Sequence, residues 1–328
     1  MKKMQTPPKL CRYRPLDDSL FDREMDALQN SYLYAPLFSE MNDPMEAFYQ
    51  VGSPDDQIID IAMRQSGKRI EDIYEMFSSM VDKFALVSFA ETYEDLPMWA
   101  YYGSNFAGMC LEFDTSMLSI GDFQNEQLMP VTYARQALPS LTFSDIAGQC
   151  GEEAVLARIT RKRSEWAHEK EWRYLTGEVG PKHYLDNALK RVFLGAKAKP
   201  EHAERVCDIL DQRPTEVLQG KINGYELNFR TIKPAREYEE CERVGQGKFE
   251  PENHTYVRKG LEQFLEVPYE TFLDKCQQIA KQPNLEEICD FDVSVNDTSK
   301  LFLQTTFKFR GGRGVYHKYY FDKKLNLA

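Results

Sequence analysis

Short apolar runs set between helix-like stretches of unequal length limit the architectures open to this 328-residue chain. Residues 10–14, 85–89, 108–113 and 192–194 read as strands, because brief apolar runs bounded by turn signals suit a buried sheet. Between them, Ile70, Ile73, Tyr74, Phe77, Met80 and Val81 fall at i, i+3, i+4, i+7, i+10 and i+11, the stripe of an amphipathic helix. A doubly wound sheet requires regular alternation of strand and helix, and the spacing here is irregular. The pattern predicts an α+β fold: a mixed, mostly antiparallel split sheet flanked by helices.

Further along, helices are expected at 22–28, 97–102, 152–166 and around Ala203, Val206, Cys207 and Leu210, with strands at 131–133, 169–175 and 225–232. Residues 237–247 are polar, acidic and glycine-containing, so a boundary is placed there, giving a domain 1–236 and a smaller C-terminal module 237–328. That module reads as a helix at 256–280 followed by a hairpin. Residues 301–310 alternate apolar and polar, Gly311-Gly-Arg-Gly314 supplies a turn, and 315–321 returns.

Net charge is −11, which disfavours a surface built wholly for nucleic acid, since such surfaces release phosphate counterions with Lys and Arg. Residues 300–328 depart from this with seven Lys/Arg against one Asp, so a nucleic-acid contact through the C-terminal hairpin stays open. No apolar run approaches the ~18 residues of a membrane span, and no apolar segment follows Lys2 and Lys3 as in a signal peptide. The seven cysteines form no CxxC pair and the five histidines stand in no ligand spacing with them. The expectation is therefore a cytoplasmic protein with reduced thiols, no metal and no membrane contact. P-loop, HExxH and GxSxG signatures are missing from the sequence.

Four clusters hold polar chemistry. In Trp166-Ala-His-Glu-Lys-Glu-Trp-Arg173, a strand starting near Glu169 would place Glu169, Glu171 and Arg173 on one face. Such a grouping shifts pKa values at functional sites, and an ion-paired strand between core tryptophans gives the same pattern. Asn42-Asp43-Pro-Met-Glu46 is either a capped turn or a polar ligand contact. Trp99 and Tyr102 stand three apart, as core residues or as a stacking surface for a flat ligand. Arg12 and Arg14 flank Tyr13 on the first strand, as two exposed arginines or as a phosphate clamp.

Taken in order, Arg12-Tyr-Arg14, the Asn-Asp-Pro-x-Glu stretch, Val87-Ser-Phe89, Met98-Trp-Ala-Tyr-Tyr-Gly103, Gly108-Met-Cys-Leu-Glu-Phe113, Trp166-x-x-Glu-x-Glu-Trp-Arg173 and Val192-Phe-Leu-Gly195 resemble the bacterial domain-of-unknown-function family 2971, over residues 10–235. That resemblance implies a prokaryotic cytosolic protein and no set activity. A second likeness is to ADP-ribosyltransferases of the Arg–Ser–Glu type, through Arg14 (or Arg12), Ser88 and Glu169-x-Glu171. It implies NAD as substrate. Arginine would neutralise the pyrophosphate and Ser88 would position the nicotinamide ribose. Glu171 would stabilise the oxocarbenium, and Glu169 would orient an unknown acceptor. Trp99, Tyr102, Asn42 and Asp43 complete the candidate NAD contacts. The middle motif, Val-Ser-Phe-Ala-Glu-Thr, departs from that type's Ser-Thr-Ser, and Trp172-Arg173 lies outside its signature.

Two other readings compete. One is a recognition module, in a stress or phage-defence setting, that uses Lys308, Arg310, Arg313, Lys318 and Lys324 with Tyr316, Tyr319 and Tyr320. The other is metal-dependent hydrolysis by Asp43, Glu46, Glu169 and Glu171.

Overall fold

The computed structural model describes residues 5–41, 56–67, 69–118, 127–140, 142–143, 145, 151–252 and 257–327. Strands form largely where the apolar runs require them. In chain order they are Lys9–Arg14 (β1), Tyr32–Ala35 (β2), Ala85–Ala90 (β3), Met109–Asp114 (β4), Gln127–Pro130 (β5), Thr132–Ala134 (β6), Arg161–Arg163 (β7) and Glu171–Thr176 (β8). They continue with Gly180–His183 (β9), Leu189–Leu194 (β10), Glu216–Asn223 (β11), Glu226–Lys233 (β12), Leu285–Val293 (β13), Leu301–Lys308 (β14) and Gly314–Phe321 (β15). The helices are Phe21–Gln29 (α1), Asp56–Gln65 (α2), Ile70–Val81 (α3), Leu96–Tyr101 (α4) and Thr115–Leu118 (α5). Gly151–Ile159 (α6), Pro200–Leu210 (α7), Arg258–Phe264 (α8) and Tyr269–Ala280 (α9) follow. The class is α+β with mostly antiparallel pairing, as the spacing predicted.

The chain divides into two compact units, each drawn from three stretches of sequence. The first comprises Met1–Pro7, Tyr34–Met98 and Glu126–Pro181; the second comprises Pro8–Leu33, Trp99–Asn125 and Lys182–Ala328. The expected module 237–328 lies whole within the second.

In the first unit β8 runs between β3 and β5, antiparallel to both, with Ser88 opposite Arg173 and Ala90 opposite Glu171. All six residues of β8 are buried. Phe38, Val81, Leu86, Val155, Ile159 and Leu175 form an apolar cluster, so α3 and α6 contribute side chains to the same core as the sheet. The helix expected over 152–166 stops at Ile159. Thr160 turns its hydroxyl onto the Leu156 carbonyl at 2.6 Å, and Arg161–Arg163 leave the helix to pair in parallel with β6. Ser164–Glu169 then form a 3-10 helix.

In the second unit the strands lie in the order β12-β11-β10-β4-β1. β10 and β11 are parallel, joined by α7, and the other neighbours are antiparallel. Pro200 opens α7, where a missing N–H costs nothing, and His202, Val206 and Leu210 form its buried face. Gly108 and Gly195 mark close backbone approaches: a Cβ on either would collide with the carbonyl of Arg14 or of Phe106, respectively. That gives the glycines of two resemblance motifs a packing reason.

The C-terminal sheet, β13-β14-β15, is antiparallel throughout. The single helix expected over 256–280 is two helices, because Pro268 takes an extended conformation ahead of α9. Leu261, Phe272, Cys276 and Ile279 pack with Leu285, Phe291, Leu303, Phe307 and Phe321. β11 and β13 were not foreseen.

Candidate active site

Local backbone strain marks the start of the site. Lys170 has φ 43° and ψ 51°, the left-handed conformation that costs an L-residue about 1–2 kcal/mol. It ends the 3-10 helix after Glu169 and redirects the chain into β8 at Glu171. Glu169 is therefore not a strand residue, and the strand alternation expected for Glu169, Glu171 and Arg173 does not hold. The two glutamates nonetheless meet, because Lys162 reaches both: its Nζ lies 2.6 Å from Glu169 Oε2 and 3.4 Å from Glu171 Oε2.

Around Glu171 every partner belongs to the first unit. Ser88 Oγ donates to Glu171 Oε1 at 2.6 Å. Arg173 donates through Nε to Oε1 at 2.9 Å and through Nη2 to Oε2 at 3.0 Å, and gives Nη1 to the Ile159 carbonyl. The Glu171 N–H donates to the Tyr133 hydroxyl at 2.8 Å, and its carbonyl accepts from the Val131 N–H. The Lys162 ammonium also lies 5.2 Å from the Trp166 ring centroid, and the Arg173 guanidinium 5.7 Å from that of Phe38.

Lys162, Glu169, Glu171 and Arg173 are all buried, two cations balancing two carboxylates. Burial opposes charge on Glu171, but Arg173 first, then Lys162 and Ser88, outweigh it and hold the carboxyl below its ordinary value. Burial is also the main cause pushing the Tyr133 phenol well above its ordinary value, so it stays protonated. The result is an ionised glutamate, fixed by a serine hydroxyl and an arginine fork, in a low-dielectric setting. Such a group can stabilise a developing positive charge and accept a hydroxyl hydrogen bond.

The other expected residues lie elsewhere. Arg14, in the second unit, donates Nε to Glu24 Oε2 at 2.7 Å and Nη2 to Glu24 Oε1, while Arg23 also binds Glu24. Burial opposes charge on Glu24 too, yet Arg14 and Arg23 keep its carboxyl below the ordinary value. Arg12 is half-buried on the same face of β1 as Arg14. Trp99 is not a stacking surface: it is wholly buried, edge-on to Tyr13 and packed against Phe106 and Phe229. Tyr102 is half-buried just beyond α4. Asn42, Asp43 and Glu46 lie outside the described residues. Among the described residues no group of three or more His, Cys, Asp or Glu is placed to hold a metal ion, and no helix is long and apolar enough to cross a membrane.

Sequence reasoning passed over Lys162 and Tyr133. Lys162 falls inside the helix expected over 152–166; its signal is the Arg-Lys-Arg triplet, of which only the central residue is buried. Tyr133 carried no signal, since its role is to receive a backbone N–H.

Comparison with known proteins adds one finding. Residues 98–174 match the family described as Protein of unknown function (DUF2971). The DUF2971 segment spans less than a quarter of the chain. It contains Tyr133, Lys162, Glu169, Glu171 and Arg173, and begins after Arg14 and Ser88, which it leaves out. No curated protein and no solved structure matches the chain.

Proposed function

We propose that the protein is an ADP-ribosyltransferase-like enzyme that cleaves NAD, with Glu171 as the charged group at the reacting sugar. The observation that carries this reading is the 2.6 Å hydrogen bond from Ser88 to Glu171. Two members of the Arg–Ser–Glu likeness, 83 positions apart, meet on paired strands.

The chemistry needs an ionised carboxylate. As the bond between nicotinamide nitrogen and ribose C1′ breaks, the electron pair leaves with nicotinamide and positive charge grows on the sugar. Glu171 offsets that charge and accepts a hydrogen bond from a ribose hydroxyl; an acceptor nucleophile then bonds to C1′ and gives up its proton. Each Glu171 oxygen already has two protein donors, so a ribose hydroxyl has to displace one of them. The 3.4 Å bond from Lys162 is the longest and the easiest to lose. Glu169, still held by Lys162 at 2.6 Å, would orient the acceptor.

Nicotinamide release by wild type, Glu171→Gln and Ser88→Ala, with protein and nucleic-acid acceptors supplied, tests the reading. Release by wild type that collapses in Glu171→Gln supports it; equal low rates in all three overturn it.

A further inference from the structure

The C-terminal sheet has two faces of different character. Odd-numbered residues of β14 and β15, including Leu303, Phe307, Tyr319 and Phe321, enter the core shared with α8 and α9. Even-numbered residues point the other way: Tyr316 is 69% exposed and Tyr320 39% exposed. Register sets Gln304 beside Lys318, Phe302 beside Tyr320 and Thr306 beside Tyr316. A shallow hollow of about 580 Å³ is lined by Gln304, Tyr316, His317, Lys318 and Tyr320, with no carboxylate in the lining.

The structure also narrows the basic residues of this region. Arg310 is committed to Asp186 and Glu242, at 2.7 Å to each. Tyr319 is buried, and Lys324 lies 3.9 Å from Glu266. On the outward face remain Tyr316, Lys318 and Tyr320 along β15, spaced by about 7 Å from one strand residue to the next but one, and Lys308 on β14 opposite Gly314. Lys318 lies over the Phe302 ring at 5.0 Å, which steadies its side chain along the strand. On the neighbouring strand β13, Glu287, Asp290 and Asp292 stand opposite Thr306, Gln304 and Phe302, so the carboxylates lie on the β13 side and the lysines on β14 and β15.

We propose that the outward face of β14 and β15 binds single-stranded nucleic acid, its bases stacking on Tyr316 and Tyr320 and its phosphates meeting Lys308 and Lys318. Stacking tolerates any base, while a duplex hides its base faces from a flat sheet. Tyr316 and Tyr320 stand about 14 Å apart along β15, longer than one nucleotide, which favours a strand over a free nucleotide. The proposal is independent of NAD cleavage in the first unit.

Fluorescence anisotropy of labelled single strands of about twelve nucleotides, DNA and RNA, against the full chain tests it. Saturable binding is expected, with Tyr316→Ala and Tyr320→Ala each weakening it roughly 5- to 150-fold. Lys318→Ala should lower the slope of log affinity against log salt by about 0.7. Gln304→Glu, which sets a carboxylate beside Lys318, should weaken binding and serves if a tyrosine variant melts early. Binding that is missing at low salt overturns the proposal. So does equal competition by a duplex or by free mononucleotide, or unchanged affinity in folded Tyr316→Ala or Gln304→Glu.

Discussion

Glu171 in the first unit and Asp186 in the second keep nearly the same company. Each accepts a serine hydroxyl, from Ser88 at 2.6 Å and from Ser31 at 2.9 Å, and each is gripped by two nitrogens of an arginine. Their chain economy differs. Asp186 joins Ser31, 155 positions away, to Arg310, 124 positions away, and Arg213 extends the group by donating to Ser31 and to the carbonyls of Leu28 and Gln29. It closes long loops, which is what a structural latch does. Glu171 instead finds its cations within nine residues, beside a second carboxylate and a left-handed lysine. Its bond to Ser88 spans 83 positions, but the charges and the strain are crowded into one short segment. Strained, charge-dense segments of this kind gather where chemistry is done.

That contrast can be broken experimentally. The largest effect is expected from Asp186→Ala, which leaves Arg310 only the exposed Glu242 and removes the buried negative charge near Arg213. It should cost about 3–5 kcal/mol in urea unfolding while the folded fraction keeps its nicotinamide release. Glu171→Gln should do the reverse, lowering nicotinamide release by about 100- to 1,000-fold with a smaller change in unfolding midpoint. If Glu171→Gln destabilises as much as Asp186→Ala and activity per folded molecule is unchanged, both networks are latches.

Smaller effects sharpen the comparison. Ser88→Ala removes a hydrogen bond to a charged acceptor and should cost about 1.5–3 kcal/mol, together with a drop in release that Ser31→Ala does not produce. The pH dependence follows from the direction of the Glu171 shift. Its folded value lies below the usual 4.5, so its contribution to stability is complete above that pH and is lost as pH falls through the folded value. Melting temperature measured from pH 7 to pH 3 should therefore drop more steeply in wild type than in Glu171→Gln. Smallest of all, Lys170→Gly relieves the left-handed strain and should stabilise by up to about 1 kcal/mol, measured by chemical unfolding.

Legibility in the sequence followed locality. The stripe from Ile70 to Val81 and the alternation around Gly311–Gly314 predicted α3 and the hairpin because their periods are set by backbone geometry alone. The expected helix over 152–166 failed at Thr160, where β6 offers the backbone a parallel partner that no local propensity can announce. β11 was missed for the same reason, since its pairing with β10 depends on α7 packing as a crossover. In the site, the residue types Ser88, Glu169 and Glu171 could be named from order and likeness. Their geometry could not: Glu169 and Glu171 share Lys162 through a turn at Lys170, not through strand alternation. Trp99 shows the opposite limit, an aromatic whose spacing suits a ligand or a core equally until its burial is known.

The sequence by itself determined the α+β class, the helical stripe of α3, the C-terminal hairpin and which side chains had the chemistry to cluster, because these depend on short-range periodicity and on residue type. Only the tertiary structure decided that Ser88 meets Glu171, that Arg310 is committed to Asp186 while Lys318 stays at the surface, and that the second carboxylate arrives by a strained turn. Contacts between residues far apart in the chain are fixed by how strands register and cores close, and those free energies are summed over the whole fold rather than written at any one position.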